Sequence, residues 1–126
     1  MCDEQLQDLE DYIQYQFDDI PSFKLALFLN SGEIKVKIAI GEVEKNLIDS
    51  LISNNLHDPP TSFYLGTYNF SQQSNSGKLL KYTTDSLSPR IYALTKDENT
   101  LIVYCCGTTL DGDEGRVVEL MTDLLY

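Results

Sequence analysis

Tryptophan is absent from the 126 residues, and histidine occurs once, at position 57. A glycosidase-like carboxylate pair would need a cleft with aromatic platforms. The acid pairs Asp18-Asp19 and Asp97-Glu98 instead sit in polar turn sequence. A lone His57 beside Asp58-Pro59-Pro60 reads as a loop histidine rather than a base. Only three cysteines are present, Cys2, Cys105 and Cys106. An odd number without a spaced framework excludes a disulfide-stapled secreted scaffold. Adjacent Cys105 and Cys106 on a strand would point to opposite faces, which suits packing better than a shared metal. Bases are scarce, 9 against 20 acids, for a net charge of -11. Such a surface repels nucleic acid and anionic membranes, so neither is an expected partner. No apolar run nears the roughly 20 residues that cross a bilayer. The first residues, MCDEQLQDLEDYIQ, have neither the basic nor the apolar region of a signal or transit peptide. The expectation is a cytoplasmic protein, with the nucleus open to it as well.

What is present is a chain of single-domain length with 42% hydrophobic residues, enough for a packed core. Residues 1–19 carry seven acids and no base. Leu6, Leu9 and Ile13 fall at helical spacing, whereas IQYQF at 13–17 alternates like a half-buried strand. The reading adopted is a strand over 12–17, with residues 1–11 an acidic lead that is frayed or briefly helical. Residues 23–29 are strand-like, and Asn30-Ser31-Gly32-Glu33 is a hairpin loop whose Asn and Gly tolerate positive φ. From Glu33 to Ile40 the alternation is clean. Ile34, Val36, Ile38 and Ile40 share one face, and Lys35 and Lys37 the other. This is the pattern of an antiparallel sheet.

Gly41 closes that strand, and Val43, Leu47, Ile48, Leu51 and Ile52 form the apolar stripe of a helix ended by Asn54, Asn55 and Asp58-Pro59-Pro60. SFYLG at 62–66 is a further strand. The pattern then fades, and residues 67–88 read as one long polar loop, with a short strand or turn within 78–84. Beyond it the order sharpens again. An apolar run at 91–94, a polar turn at 96–99 and a second run at 101–106 form a hairpin. A closing helix carries Val117, Met121 and Leu124 on its stripe, flanked by Val118 and Leu125, with Asp111 or Asp113 to cap it.

The prediction is one α+β domain over residues 1–126. Its single antiparallel sheet has about six strands and two amphipathic helices, in the order β-β-β-α-β-β-β-α. No nucleophile-base pair, cofactor motif or metal-ligand spacing stands out, so the chain reads as non-enzymatic, without cofactor or metal. The stretch GTTLDGDEG at 107–115 lacks the Gly-Lys-Ser/Thr ending of a phosphate loop and the ligand spacing of a calcium loop. It reads as an acidic turn capping a helix. Tyr64, Tyr68 and Phe70 cluster at the start of the long loop and are candidate partner-binding anchors. Asp113 and Glu114, at the head of the closing helix, are the charged candidates.

SFYLG, then a loop, then RIYALTKDENTLIVYCCG, then DEGRVVELMTDLLY resembles the small proteasome assembly chaperones, the pair that forms a heterodimer and assists 20S α-ring assembly. Leu65-Gly66 matches that family's strand-ending step, and the hairpin and helix from Arg90 match in length and polarity. The long polar loop departs from the family, so contact residues there do not carry over. The resemblance implies a non-catalytic assembly chaperone. It would bind a related small subunit and a proteasome α-type subunit. A roadblock- or longin-like trafficking or GTPase-scaffold module is the alternative.

Overall fold

The computed structural model describes residues 3–40, 48, 49, 52, 62–65, 68–76, 79–85, 89–107 and 109–125. Helix α1 spans Asp3–Phe17 and helix α2 spans Leu110–Leu125. Between them lie β1 (Phe23–Asn30), β2 (Glu33–Ala39), β3 (Ser62–Leu65), β4 (Tyr68–Ser76), β5 (Leu79–Thr83), β6 (Arg90–Lys96) and β7 (Asn99–Cys105). The seven strands form one antiparallel sheet in the order β2-β1-β7-β6-β5-β4-β3. The α+β class and the single antiparallel sheet stand as expected, with seven strands among the described residues where about six were expected.

Two elements differ from the sequence reading. Residues 12–17 are the end of α1, not a strand, and the acidic lead from Asp3 is the same helix. Ile13, Tyr15 and Phe17 do alternate in type, but only Ile13 and Phe17 are buried, while Tyr15 is 77% exposed. Those two lie one helical turn apart and continue the Leu6, Leu9, Ile13 stripe onto the sheet. The i,i+4 bond from Gln7 to Asp11, at 3.1 Å, supports the outer face. The supposed loop at 67–88 is mostly the β4–β5 hairpin, including the short strand foreseen within 78–84.

Strand β1 lies between β2 and β7 and is buried on both faces, so residues 25–29 are a continuous apolar run. The hairpin after it turns at Ser31 and Gly32, whose φ values are 53° and 85°. Gly32 adopts this left-handed backbone without strain. At the same end of the sheet the β6–β7 turn places Asp97 at φ 55°. The two turns are tied by Ser31 N–H to the Glu98 carbonyl at 2.9 Å and by Asn30 Nδ2 to Asn99 Oδ1 at 2.8 Å.

The sheet divides two cores. On one face α1 and α2 pack over Ala26, Phe28, Val36, Tyr92, Leu94, Leu101 and Val103. On the other, Leu25, Leu27, Leu29, Phe70, Tyr82, Ile91, Ala93 and Ile102 cluster with Ile48 and Ile52. Ile48, Asp49 and Ile52 are helical. The remainder of the foreseen helix stripe, His57 and Cys2 lie outside the described residues. Cys105 is buried in the first core, and burial pushes its thiol up to about 12; Cys106 is half-buried.

Candidate functional site

Helix α1 lies chiefly over β2, and α2 over β6 and β7. On that face β3 and the start of β4 extend past the described helices, whereas β5 lies at their margin, with Leu79 against the helix-side core and Thr83 buried. Antiparallel partners share a face, and successive residues alternate. Phe63 pairs with Phe70, and both belong to the opposite core. Ser62, Tyr64, Asn69 and Ser71 consequently face the open side. Tyr64 is 73% exposed there. The result is a shallow polar face with one large aromatic standing on it.

The boundary between this open face and α2 is a charged network. Arg90, at the start of β6, is only 3% exposed. Its Nη2 is ion-paired with Asp111, and its Nη1 lies 3.4 Å from Glu114 Oε1. Glu114 Oε1 also accepts from Lys81 Nζ at 2.5 Å and from the Tyr92 hydroxyl at 2.9 Å. Strands β5 and β6 are thus joined to the first turns of α2 through one carboxylate. Desolvation raises the Glu114 pKa, but Lys81, Tyr92 and Arg90 together outweigh it and hold the group below the usual glutamate value. Desolvation likewise opposes the Arg90 charge, yet Asp111, Tyr92 and Glu114 keep the guanidinium above its ordinary value. Burial drives the Tyr92 phenol upward. Arg90 and Glu114 are therefore ionised at neutral pH, so the network clamps rather than shuttles protons.

Asp113 points away from this network. Its Oδ2 accepts from the Thr109 hydroxyl at 2.8 Å and from the Ser22 amide at 3.2 Å. Ser22 in turn accepts from the Cys106 amide at 2.8 Å, which extends the β1–β7 ladder. Desolvation lifts the Asp113 carboxyl, and the bonds from Ser22 and Thr109 more than offset it, leaving it below the usual range. Asp113 therefore ties the α1–β1 connection to α2. It does not cap the helix amides, as the sequence reading had it. The Thr109 carbonyl receives the first bonds of that helix, from Gly112 and Asp113.

The five residues foreseen as partner contacts separate. Tyr64 stands on the open face. Tyr68 is 46% exposed on the opposite face, 6.4 Å from Phe70 between ring centroids. Phe70 is wholly buried, stacked on Phe63 at 5.5 Å, and belongs to the core. Asp113 and Glu114 are engaged internally, and Glu114 rims the open face. Sequence reasoning passed over Arg90, Lys81 and Tyr92. The available signal was Arg90 itself, a cation heading the apolar run Ile91-Tyr92-Ala93-Leu94, with Asp111 and Glu114 at i,i+3 in the next helix. Beyond these, a groove of about 300 Å³ lies between the helices, lined by Gln5, Leu9, Phe28, Asn99, Leu124 and Leu125. Among the described residues no group of three or more His, Cys, Asp and Glu is arranged to hold a metal.

No protein-family model matches this chain, and no curated protein matches it. Solved structures do. LokiProfilin2 in its complex with rabbit actin superposes with a TM-score of 0.65 at 13% identity, over 99% of this chain and 98% of that one. LokiProfilin1 in its complex with rabbit actin gives 0.66 at 13% identity, over 94% and 95%. LokiProfilin1 by itself gives 0.54 at 12% identity, over 94% and 97%. The chain shares the fold of these profilins from end to end. That finding overturns the proteasome reading. The assembly-chaperone function, the related small subunit and the α-type subunit as partners all fall with it. The roadblock- or longin-like alternative gains no support either.

Proposed function

We propose that this chain is a profilin-like protein that binds actin. The observation that carries the reading is the near-complete overlay with two profilins held in complexes with rabbit actin. The binding is non-catalytic, and the polar groups at the boundary of the open face serve to shape a surface. That surface is the open face of β3 and β4, with Tyr64 as its aromatic anchor and β5 and α2 as its rim. It combines an exposed tyrosine, small polar neighbours and a charged rim, the composition of a docking patch rather than of a core. A cytoplasmic setting goes with this reading.

Isothermal titration of monomeric rabbit actin with the purified chain tests it. The expected result is saturable one-to-one binding. Absence of heat and of co-elution at about 0.1 mM protein, a concentration that reveals even weak complexes, overturns the reading. A Tyr64→Ala variant locates the surface: weaker binding assigns the open face, and unchanged binding assigns another one.

A further inference from the structure

We infer that Arg90 is a positioning residue for the actin-binding face, acting through the first turns of α2; this inference rests on the actin-binding reading. Three observations converge on it. First, the opening of α2 is weak as a helix. Gly112 and Gly115 lie inside its first two turns, and a Cβ at either position would meet no atom within 4 Å. Packing therefore gives no reason for glycine at these positions, and each glycine weakens the local helix relative to alanine. Second, the apolar anchors are unevenly spread. Val117, Leu120, Met121 and Leu125 are buried in the later turns, whereas before Val117 only Leu110 is buried. Besides Leu110 and the bonds of Asp113 to Ser22 and Thr109, the opening turns are held by the ionic contacts of Asp111 and Glu114 with Arg90 and Lys81.

Third, the network lies at the edge of the open face. Lys81 belongs to β5, the strand at the margin of α2, and Tyr64 stands on the same side farther out. A buried guanidinium paired with an exposed Asp111 and a half-buried Glu114 is a poor source of net stability, because desolvation and solvent screening offset much of the attraction. What it does supply is a fixed geometry. A forked guanidinium reaching two carboxylates one turn apart sets both the height and the rotation of the helix start over β5 and β6. Without Arg90, the later turns of α2 stay docked while the glycine-containing turns loosen. The wall of the docking face then becomes an ensemble, and ordering it on binding costs affinity.

The test uses the full chain with three variants: Arg90→Met, Arg90→Lys, and Arg90→Met combined with Gly112→Ala and Gly115→Ala. Two quantities are read, amide exchange at residues 111–116 and affinity for monomeric rabbit actin. Arg90→Met is expected to lose protection at 111–116, to keep it in β1 and β7, and to bind actin about tenfold more weakly, a loss typical of a residue that matters at an interface. Arg90→Lys falls between, since it keeps the charge without the fork. The alanine pair restores helix to the opening turns and recovers most of the affinity. A merely structural role would lower protection everywhere and would not respond to the alanines. Should Arg90→Met unfold at the assay temperature, Glu114→Gln, which leaves Arg90 paired with Asp111, makes the same comparison. Wild-type binding to actin with equal binding by Arg90→Met overturns this inference alone, as does unchanged protection at 111–116. Failure of the wild-type chain to bind actin overturns the functional reading and this inference with it.

Discussion

Tyr64 and Tyr68 are four residues apart and project from opposite faces of the sheet, because the β3–β4 register pairs Tyr64 with Asn69 and sets Tyr68 on the side of Phe70. A flat partner surface therefore meets one of them, not both. Tyr64→Ala is expected to leave stability within about 0.5 kcal/mol, as for other exposed substitutions. Phe70→Ala, in contrast, empties a core site stacked against Phe63 and should cost about 3–5 kcal/mol. Urea unfolding of both variants measures the contrast; equal losses would mean that the face assignment of the two strands is wrong.

Strand β4 shows why this was hard to read from sequence. Among residues 68–72 of its YNFSQQSNS only Phe70 is fully buried, because Asn69 and Ser71 lie on the open face. Hydrophobic alternation marks a strand only when a whole face is covered. The hairpins at 30–33 and 96–99 were legible because apolar runs on both sides and turn residues agreed. Helix α1 was misread in its second half because Tyr15 mimics an inward strand residue. An exposed aromatic carries no label for burial, and the i,i+4 pair Ile13 and Phe17 was the better guide. The Arg90 network was invisible for a different reason. It joins residues 81, 90, 92, 111 and 114 through pairings that only the tertiary structure creates. The profilin-like order of elements was likewise masked once α1 and the β4–β5 hairpin were misassigned.

The opening of α2 should tolerate, and gain from, alanine. Gly112→Ala and Gly115→Ala each add a methyl group into open space at a helical position. Each is expected to stabilise the protein by about 0.5–1 kcal/mol, chiefly by narrowing the unfolded ensemble. Thermal melts of the single variants check this. A loss of stability would mean that an unseen neighbour or a needed bend occupies those positions.

Acid should weaken the attachment of α2. Glu114 and Asp113 have folded-state pKa values below their ordinary ones. The unfolded chain therefore binds protons more readily than the folded one. Their stabilisation is complete above the unfolded values, about 4, and disappears as pH falls through the lower folded values. Glu114→Gln isolates this effect from the relief of general acidic repulsion. Its melting temperature is expected to lie below wild type at pH 7 and to converge on it as the pH falls through the lowered folded-state value. A difference that stays constant over that range would show that charge on Glu114 is not what binds Lys81 and Arg90 together.

The two adjacent thiols should differ in reactivity. Cys105 is buried and its thiol is pushed up to about 12 by desolvation, so almost no thiolate exists near neutral pH. Cys106 is half-buried and lies just past the end of the strand. Brief alkylation of the native protein at pH 8, followed by fragment mass analysis, should find label on Cys106 and not on Cys105. Label on Cys105 at a comparable rate would indicate that the end of β7 opens readily.

Among the described strands β2 forms one edge of the sheet, and its exposed lysines guard it. Lys35 and Lys37 alternate with Ile34, Val36 and Ile38, and Lys35 pairs with Glu33 at 3.1 Å. The backbone groups on the outer side of an edge strand invite pairing with another chain, and charge on the strand opposes this. Ile34 is already exposed beside them. Replacing both lysines with valine raises strand propensity, removes the repulsion and leaves an apolar edge. Lys35→Val with Lys37→Val is therefore expected to convert a concentration-independent elution into mass that grows with concentration in light scattering. The melting temperature measured in dilute solution should change little, because neither lysine contributes to the core. A double variant that elutes unchanged across a hundredfold concentration range would mean that the edge is protected by its geometry, including the bulge opposite Phe28 and Leu29, rather than by charge.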